Sequence, residues 1–340
     1  MHGIHFGYLD GWRGLAIVLL LIGHFLPVPG INFGAVGVNL FFVLSGWLMC
    51  RLLFEQQMAI GVFYRRRVAR IFPAHYVFLG LVVLWFLVSG HRVDWAEVAA
   101  AVGFVINYGP VRFGDATMPF GHIWSLCVEE HSYLLLSLVA VASRKGWVHP
   151  LRVMAMLSAM FALVGIVYWL RYAGRELDFS KWLHSEVSAY GIFLSAWLLL
   201  LFRARGTPKV SSYAAPALLA LGVAAHWWSI AQPVRTIVGV GAFALAVNLL
   251  PTATPRLRHA LELPVLRALG VWSFSIYLWQ QPFYLWASDG AMPTWLALPA
   301  AILAGIASFH LVENPLRRHL NRVWGRAEGG SVLPAGRPAA

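Results

Sequence analysis

Arg13 and His24 stand eleven residues apart inside the first apolar stretch of this 340-residue chain. On a helix, at about 100° and 1.5 Å per residue, they project within about 20° of each other and lie about 16 Å apart along the axis. One helix face would then carry a fixed cation at one depth and a titratable imidazole at another. An arginine within a membrane costs about 2.5–3.5 kcal/mol and is usually functional. The plainer reading is a snorkelling arginine and a histidine hydrogen-bonded between helices. Taken alone, the pair divides evenly between the two.

A second constellation reads His122-Ile-Trp124-Ser125-Leu-Cys-Val-Glu129-Glu130-His131-Ser132-Tyr133. With Ser125 at zero on a helical wheel, Glu129 falls at about 40°, Ser132 at about −20°, Tyr133 at about 80° and His122 near 60°. These form one polar arc, whereas Glu130 and His131 fall at about 140° and 240° and point elsewhere. Glu129 is therefore the carboxylate expected inside, at the depth of His24. A buried carboxylate beside a neutral imidazole could fix its tautomer and stabilise the imidazolium, as general-base catalysis requires. The competing reading is a structural polar cluster joining two helices.

Phe63-Tyr-Arg65-Arg66-Arg67-Val-Ala-Arg70-Ile-Phe-Pro73 packs four arginines into six residues. Arg66 and Arg70 share a helical face, as do Arg67 and Arg70. Guanidinium forks suit phosphates, but a plain anchor against anionic lipid explains the charge equally well. Gly37 to Gly46 offers small residues for close helix packing. The run Trp272 to Pro282, with Ser273, Ser275, Tyr277, Gln280 and Gln281, is a polar and aromatic stretch that could line a cavity.

The elements that must position these groups are transmembrane helices. The chain is 59% hydrophobic and 12% charged, with a mean hydropathy of +0.68, whereas soluble domains carry about 25% charged residues. Apolar segments of bilayer-spanning length fall at 9–28, 36–54, 73–90, 124–142, 151–170, 186–202, 212–229, 234–250, 266–287 and 294–313. The expected fold is therefore an all-α polytopic transmembrane bundle of about ten spans. Segment 95–108 is apolar but short, and charge decides against counting it. With both termini cytoplasmic and 95–108 left out, nineteen of the 26 Lys and Arg residues face the cytoplasm, the positive-inside arrangement.

The basic excess, 26 Lys and Arg against 14 Asp and Glu, sits in clusters between apolar runs. Loops facing an anionic leaflet have this pattern; a nucleic-acid-binding face does not. Membrane lipid is thus an expected partner and nucleic acid is not. Cys50 and Cys127 lie near opposite membrane faces, so no disulfide is expected, and no metal-ligand spacing is present. A cleavable signal peptide is not expected. Residues 1–320 read as one transmembrane domain, and 321–340 as a Gly-, Pro- and Ala-rich tail expected to be disordered. The long segments 55–72 and 91–123 are candidates for function.

In this order the motifs resemble the acyltransferase-3 family of integral membrane O-acyltransferases. The matching pieces are Leu9-Asp10-Gly11-Trp12-Arg13-Gly14-Leu15-Ala16 followed by His24, then Gly37 to Gly46, then Arg67-x-x-Arg70-Ile71-x-Pro73. His122-x-Trp124-Ser125-Leu126-x-Val128-Glu129, Ser275 to Trp279, and Val312-Glu313-Asn314-Pro315-Leu316-Arg317-Arg318 complete the set. The resemblance spans about 8 to 318. It departs at Asn39, where Asp is common, at His131-Ser132, where Gln-Phe is common, and at Gln280, where a His is common.

The resemblance implies transfer of an acyl group, commonly acetyl, from cytoplasmic acyl-CoA to a hydroxyl of a cell-surface or lipid-linked glycan. It implies no permanently bound cofactor, and a place in the bacterial cytoplasmic (inner) membrane. It implies roles for Arg13 and His24 in catalysis or donor binding. On this basis His24, oriented by Glu129, is the expected general base, with Arg13 beside the donor and Arg67 and Arg70 at the CoA phosphates. His122, Trp124, Ser125, Tyr133, Tyr277 and Gln280 are the remaining expected substrate contacts. The acceptor is expected from the outer side, near the 91–123 loop. Some relatives carry a C-terminal esterase-like domain, which is not expected here. A lipid-linked sugar flippase or exporter is the alternative, and it would not need His24 and Glu129 at matched depth.

Overall fold

The computed structural model describes residues 6–109, 118–172 and 179–329, and its apolar segments are helices. In chain order they are α1 (Gly7–Phe25), α2 (Phe33–Glu55), α3 (Ile60–Val88) and α4 (Trp95–Val102). Then come α5 (Trp124–Arg144), α6 (Pro150–Tyr172), α7 (Tyr190–Arg205), α8 (Ala214–Ala224) and α9 (Gln232–Thr252). The set closes with α10 (Pro255–Leu261), α11 (Pro264–Ser288), α12 (Thr294–Ser308) and α13 (Asn314–Gly329).

The expectation of an all-α polytopic bundle therefore holds. Seven helices are long and apolar enough to cross a membrane, or eight if α10 and α11, bent 54° against each other, count as one span. Each of the ten apolar segments is helical, but not all over its full length. The segment 212–229 is an 11-residue helix, only about 17 Å long. After it the chain turns inward, because His226 bonds the Gly222 carbonyl and the backbone of Trp228 bonds Gly30. Segment 95–108 is an eight-residue helix and a short 3-10 turn, about 12 Å of helix and too short to span. The tail expected from 321 is helical over 321–329, and 330–340 lie outside the described residues.

Helix α1 is the centre of the bundle. Its Leu9, Trp12 and Ala16 join one buried cluster with α2, α7 and α9, and its Ile17, Leu20 and Leu21 join another with α3, α11 and α12. The indole of Trp12 donates to the Leu40 carbonyl of α2 at 2.9 Å. Glycines permit the closeness. A side chain at Gly11 or Gly14 would overlap the carbonyls of Leu261 or Leu266, and one at Gly270 would overlap that of Asp10. The small residues of α2 act likewise, with Gly37 against Ala16 and Gly46 against Ile192. Such contacts replace the hydrophobic driving force that lipid does not supply.

Candidate active site

Three of the long helices converge on one polar column. Along α11 the residues Gly270, Ser273, Tyr277 and Gln280 recur at three- and four-residue steps and so share a face. Gly270 lines an open cavity of about 530 Å³ with Asp10, Arg13, Arg70, Arg267 and Arg317. Four guanidinium groups surround this mouth, and a single carboxylate opposes them. Arg13 donates to Asp10 at 3.0 Å, and Arg317 reaches Asn314 at 3.2 Å and Glu313 at 3.8 Å. Arg70 has no hydrogen-bond or ion-pair partner among the described residues. Arg13 and Arg70 also line a smaller inner cavity of about 100 Å³, so the mouth leads inward.

The inner cavity is walled by Ser45, Ser125, Glu129, Tyr133, Ser273 and Tyr277, with Val38 and Phe42 of α2. Ser45 donates to Glu129 at 2.5 Å. Tyr277 donates its one hydroxyl proton to the His122 carbonyl, so Ser125, 2.7 Å away, is the donor to Tyr277. Arg67 is not free to meet a ligand. It donates to Glu130 at 2.7 Å and lies over Tyr133, 3.6 Å from the ring centre.

One turn beyond Tyr277, Gln280 holds His24. His24 Nδ1 lies 2.8 Å from Gln280 Oε1, while Gln280 Nε2 donates to Gln281 Oε1 at 3.2 Å. That second bond orients the Gln280 amide with its oxygen toward the imidazole. An oxygen can only accept, so Nδ1 carries a proton, and in the neutral form of the ring the Nε2 lone pair is the free one. Tyr284 stacks on the ring at 4.7 Å and holds its plane. The arrangement presents an oriented imidazole about 16 Å along α1 from Arg13.

The comparisons with known proteins fit a column of this kind. The family model described as "Acyltransferase domain", acyltransferase-3, matches residues 6–312. This chain belongs to that family. It is an integral-membrane acyltransferase. A Komagataeibacter xylinus protein named as a membrane-bound transacylase, BcsY, is 30% identical over 96% of this chain and 87% of its own length. The O-acetyltransferase OatA of Staphylococcus aureus strain NCTC 8325 is 24% identical over 91% of this chain. The match covers 57% of OatA, so the chain spans little more than half of that relative. No solved structure matches.

For this acyltransferase the residues singled out in the sequence separate into groups. Arg13, Arg70, Ser125, Glu129, Tyr133 and Tyr277 meet around the inner cavity, and Arg67 lines it while paired to Glu130. The proposed orientation of His24 by Glu129 is corrected: its bonded partner is Gln280, and Glu129 pairs with Ser45. A wheel drawn on α5 places Glu129 inside but does not say which neighbour it meets. His122 is 3% exposed, packed edge-on to Phe78 and beside Tyr277, and does not line the cavity. Gln280 is wholly buried and hydrogen-bonded to His24. Trp124 faces a different, outer cavity. Asp115, within the 91–123 loop, lies outside the described residues. Sequence reasoning missed Arg267 and Arg317, which stand with Arg70 around the mouth; the motif ending in Arg317-Arg318 was the available signal.

Proposed function

We propose that this acyltransferase moves an acetyl group from cytoplasmic acetyl-CoA to a hydroxyl of a cell-surface or lipid-linked glycan. It does so in the bacterial cytoplasmic membrane, with ten spans and both termini inside. The observation that carries the reading is the run of polar residues along α11 from an arginine-lined mouth to Gln280, which orients His24. CoA brings phosphates that match guanidinium groups, and Arg70, Arg267 and Arg317 stand at the mouth with Arg13 behind them. The pantetheine arm then runs into the inner cavity past Ser273 and Tyr277.

In the transfer, His24 Nε2 takes the proton of the acceptor hydroxyl as its oxygen attacks the thioester carbonyl. The C–S bond breaks, the imidazolium gives its proton to the leaving sulfur, and CoA leaves as the thiol. A polysaccharide or lipid-linked sugar would thereby gain an O-acetyl group without any bound cofactor.

The test is a kinetic split with purified protein in lipid nanodiscs. His24→Ala should lower kcat with acetyl-CoA by about 10²-fold or more at unchanged protein level. Arg70→Ala should raise the KM for acetyl-CoA by roughly tenfold or more, the cost of one charged hydrogen bond, with kcat little changed. Near-normal acyl transfer by His24→Ala would remove the general-base assignment. An unchanged donor KM in Arg70→Ala would return that residue to the role of topology anchor.

A further inference from the structure

A second large cavity, of about 530 Å³, opens at the other end of α2 and plays no part in the column described above. The two cavities follow each other along that helix. Met49 and Ser45 line the inner one, Val38 and Phe42 line both, and Asn39, Ala35 and Asn32 line the outer one. From Met49 to Ala35 the helix rises about 21 Å, so the outer cavity lies far from the arginine mouth.

Its wall has an unusual composition. Trp124, Trp169, Trp182 and Trp228 all line it, each from a separate element: α5, α6, the 3-10 turn Phe179–Leu183 and the loop after α8. Tryptophans of a membrane belt face lipid at the interface, whereas these four converge on one space. Polar groups stand among them, chiefly Asn39, Gln232 and Arg235. A predominantly apolar cleft looks different. The one between Leu26, Trp295, Leu298, Pro299 and Ile302 has Thr294 as its sole polar residue.

The wall is also held in place. The backbone of Trp228 donates to Gly30 at 2.7 Å, and that of Asn32 donates to His226 at 3.2 Å. Arg235 Nε donates to the Ile230 carbonyl at 2.6 Å, and its guanidinium lies 5.6 Å from the Trp228 ring centre. His226 Nδ1 lies 2.7 Å from the Gly222 carbonyl and so must be the protonated nitrogen. Its Nε2 then accepts from Asn39 Nδ2 at 3.1 Å. This leaves Asn39 Oδ1 as a hydrogen-bond acceptor for a ligand.

We infer that the Trp124–Trp169–Trp182–Trp228 cavity binds a pyranose ring of the acceptor glycan. A pyranose has flat faces of C–H bonds and a rim of hydroxyls. Indole faces suit the first and amide or guanidinium groups the second, the mixed lining that small-molecule sites use. The cavity volume lies within the about 300–1,000 Å³ of such sites. The cavity also approaches the imidazole. Gly34 lies beside His24, since a Cβ there would stand 3.5 Å from His24 Nε2, and Val38 is one turn further along the same face. A sugar held by the tryptophans can extend a hydroxyl past Val38 toward His24. The inference rests on the acyl-transfer reading and adds to it the place where the acceptor's sugar ring sits and the residues that hold it.

Full-length protein in nanodiscs, applied to an array of bacterial surface oligosaccharides, tests this without chemistry, with acetyl-CoA affinity measured in parallel. Wild type should bind a subset of pyranose-containing glycans. Trp169→Ala and Trp182→Ala should each lose at least tenfold of that signal, Trp182→Phe should keep most of it, and donor affinity should stay within twofold. A wild type that binds no glycan, or alanine variants that bind as well as wild type, would overturn the assignment. Failure of the acyl-transfer reading has a different signature: no acetyl-CoA binding by wild type, alongside a glycan signal that still depends on the tryptophans.

Discussion

At the scale of single residues, the site turns on which group orients His24. A carboxylate is the usual partner for a catalytic imidazole, and Glu129 has the chemistry for it, yet a neutral amide occupies that place. Gln280 accepts from Nδ1 as a carboxylate would, without placing a second charge in the membrane interior, where each ionised group is costly. Gln280→Leu leaves the Nδ1 proton unpaired and the tautomer unspecified. It should lower kcat by roughly tenfold to a hundredfold, the scale at which an outer-shell partner of a histidine acts, and Gln280→Glu should recover most of that loss. The double variant of His24→Ala with Gln280→Leu should be no slower than His24→Ala alone, because the two act as a unit. Glu129→Gln should instead multiply with Gln280→Leu. Initial-rate measurements on the purified variants decide it, and coupling to Glu129 rather than Gln280 would reverse the assignment.

At the scale of elements, the glycines of α1 and α11 set where Arg13 and Ser273 meet. Gly14 of α1 lies against the Leu266 carbonyl, and Gly270 of α11 against the Asp10 carbonyl. Gly165 of α6 has no neighbouring atom in reach. Gly14→Leu must therefore push a backbone aside, at a cost of about 1–3 kcal/mol or more, whereas Gly165→Leu meets only open space. Thermal unfolding in detergent should show a clear drop for the first and almost none for the second. These contacts also mark the limit of what could be read from the chain. Apolar runs reveal the helices, and a wheel on α5 groups Ser125, Glu129 and Tyr133 on one face. Periodicity reports the azimuth within one helix and says nothing of which helix lies opposite. Hence a wheel cannot tell Glu129 from Gln280, 256 residues from His24, as the partner of the imidazole. Arg267 and Arg317 join Arg70 for the same reason, through packing alone. The 212–229 segment is helical only over Ala214–Ala224, and His226, Trp228 and Ser229 beyond it fold into the outer cavity wall.

At the scale of the whole molecule, the proposed function requires the two cavities to open to opposite sides of the membrane. The arginine-lined mouth lies at the Arg13 end of α1 and the tryptophan cavity at the Asn32 end of α2. In the ten-span topology Arg92 is extracytoplasmic and Lys209 cytoplasmic, on opposite sides of the bundle. Both residues are exposed, so a cysteine at either position is accessible to reagent from its own side. The native Cys50 and Cys127 are free but buried, which keeps the background of a thiol reagent low and makes the natural chain a suitable parent. A membrane-impermeant maleimide applied to spheroplasts should label Arg92→Cys and spare Lys209→Cys, and permeabilisation should bring Lys209→Cys up to the same level. The alternative count, with 95–108 as an additional span, inverts every later loop and would expose Lys209→Cys in intact spheroplasts while leaving Arg92→Cys labelled. Equal labelling of both before permeabilisation would thus overturn the arrangement that puts the arginine mouth where acetyl-CoA is made and the tryptophan cavity where a surface glycan is assembled.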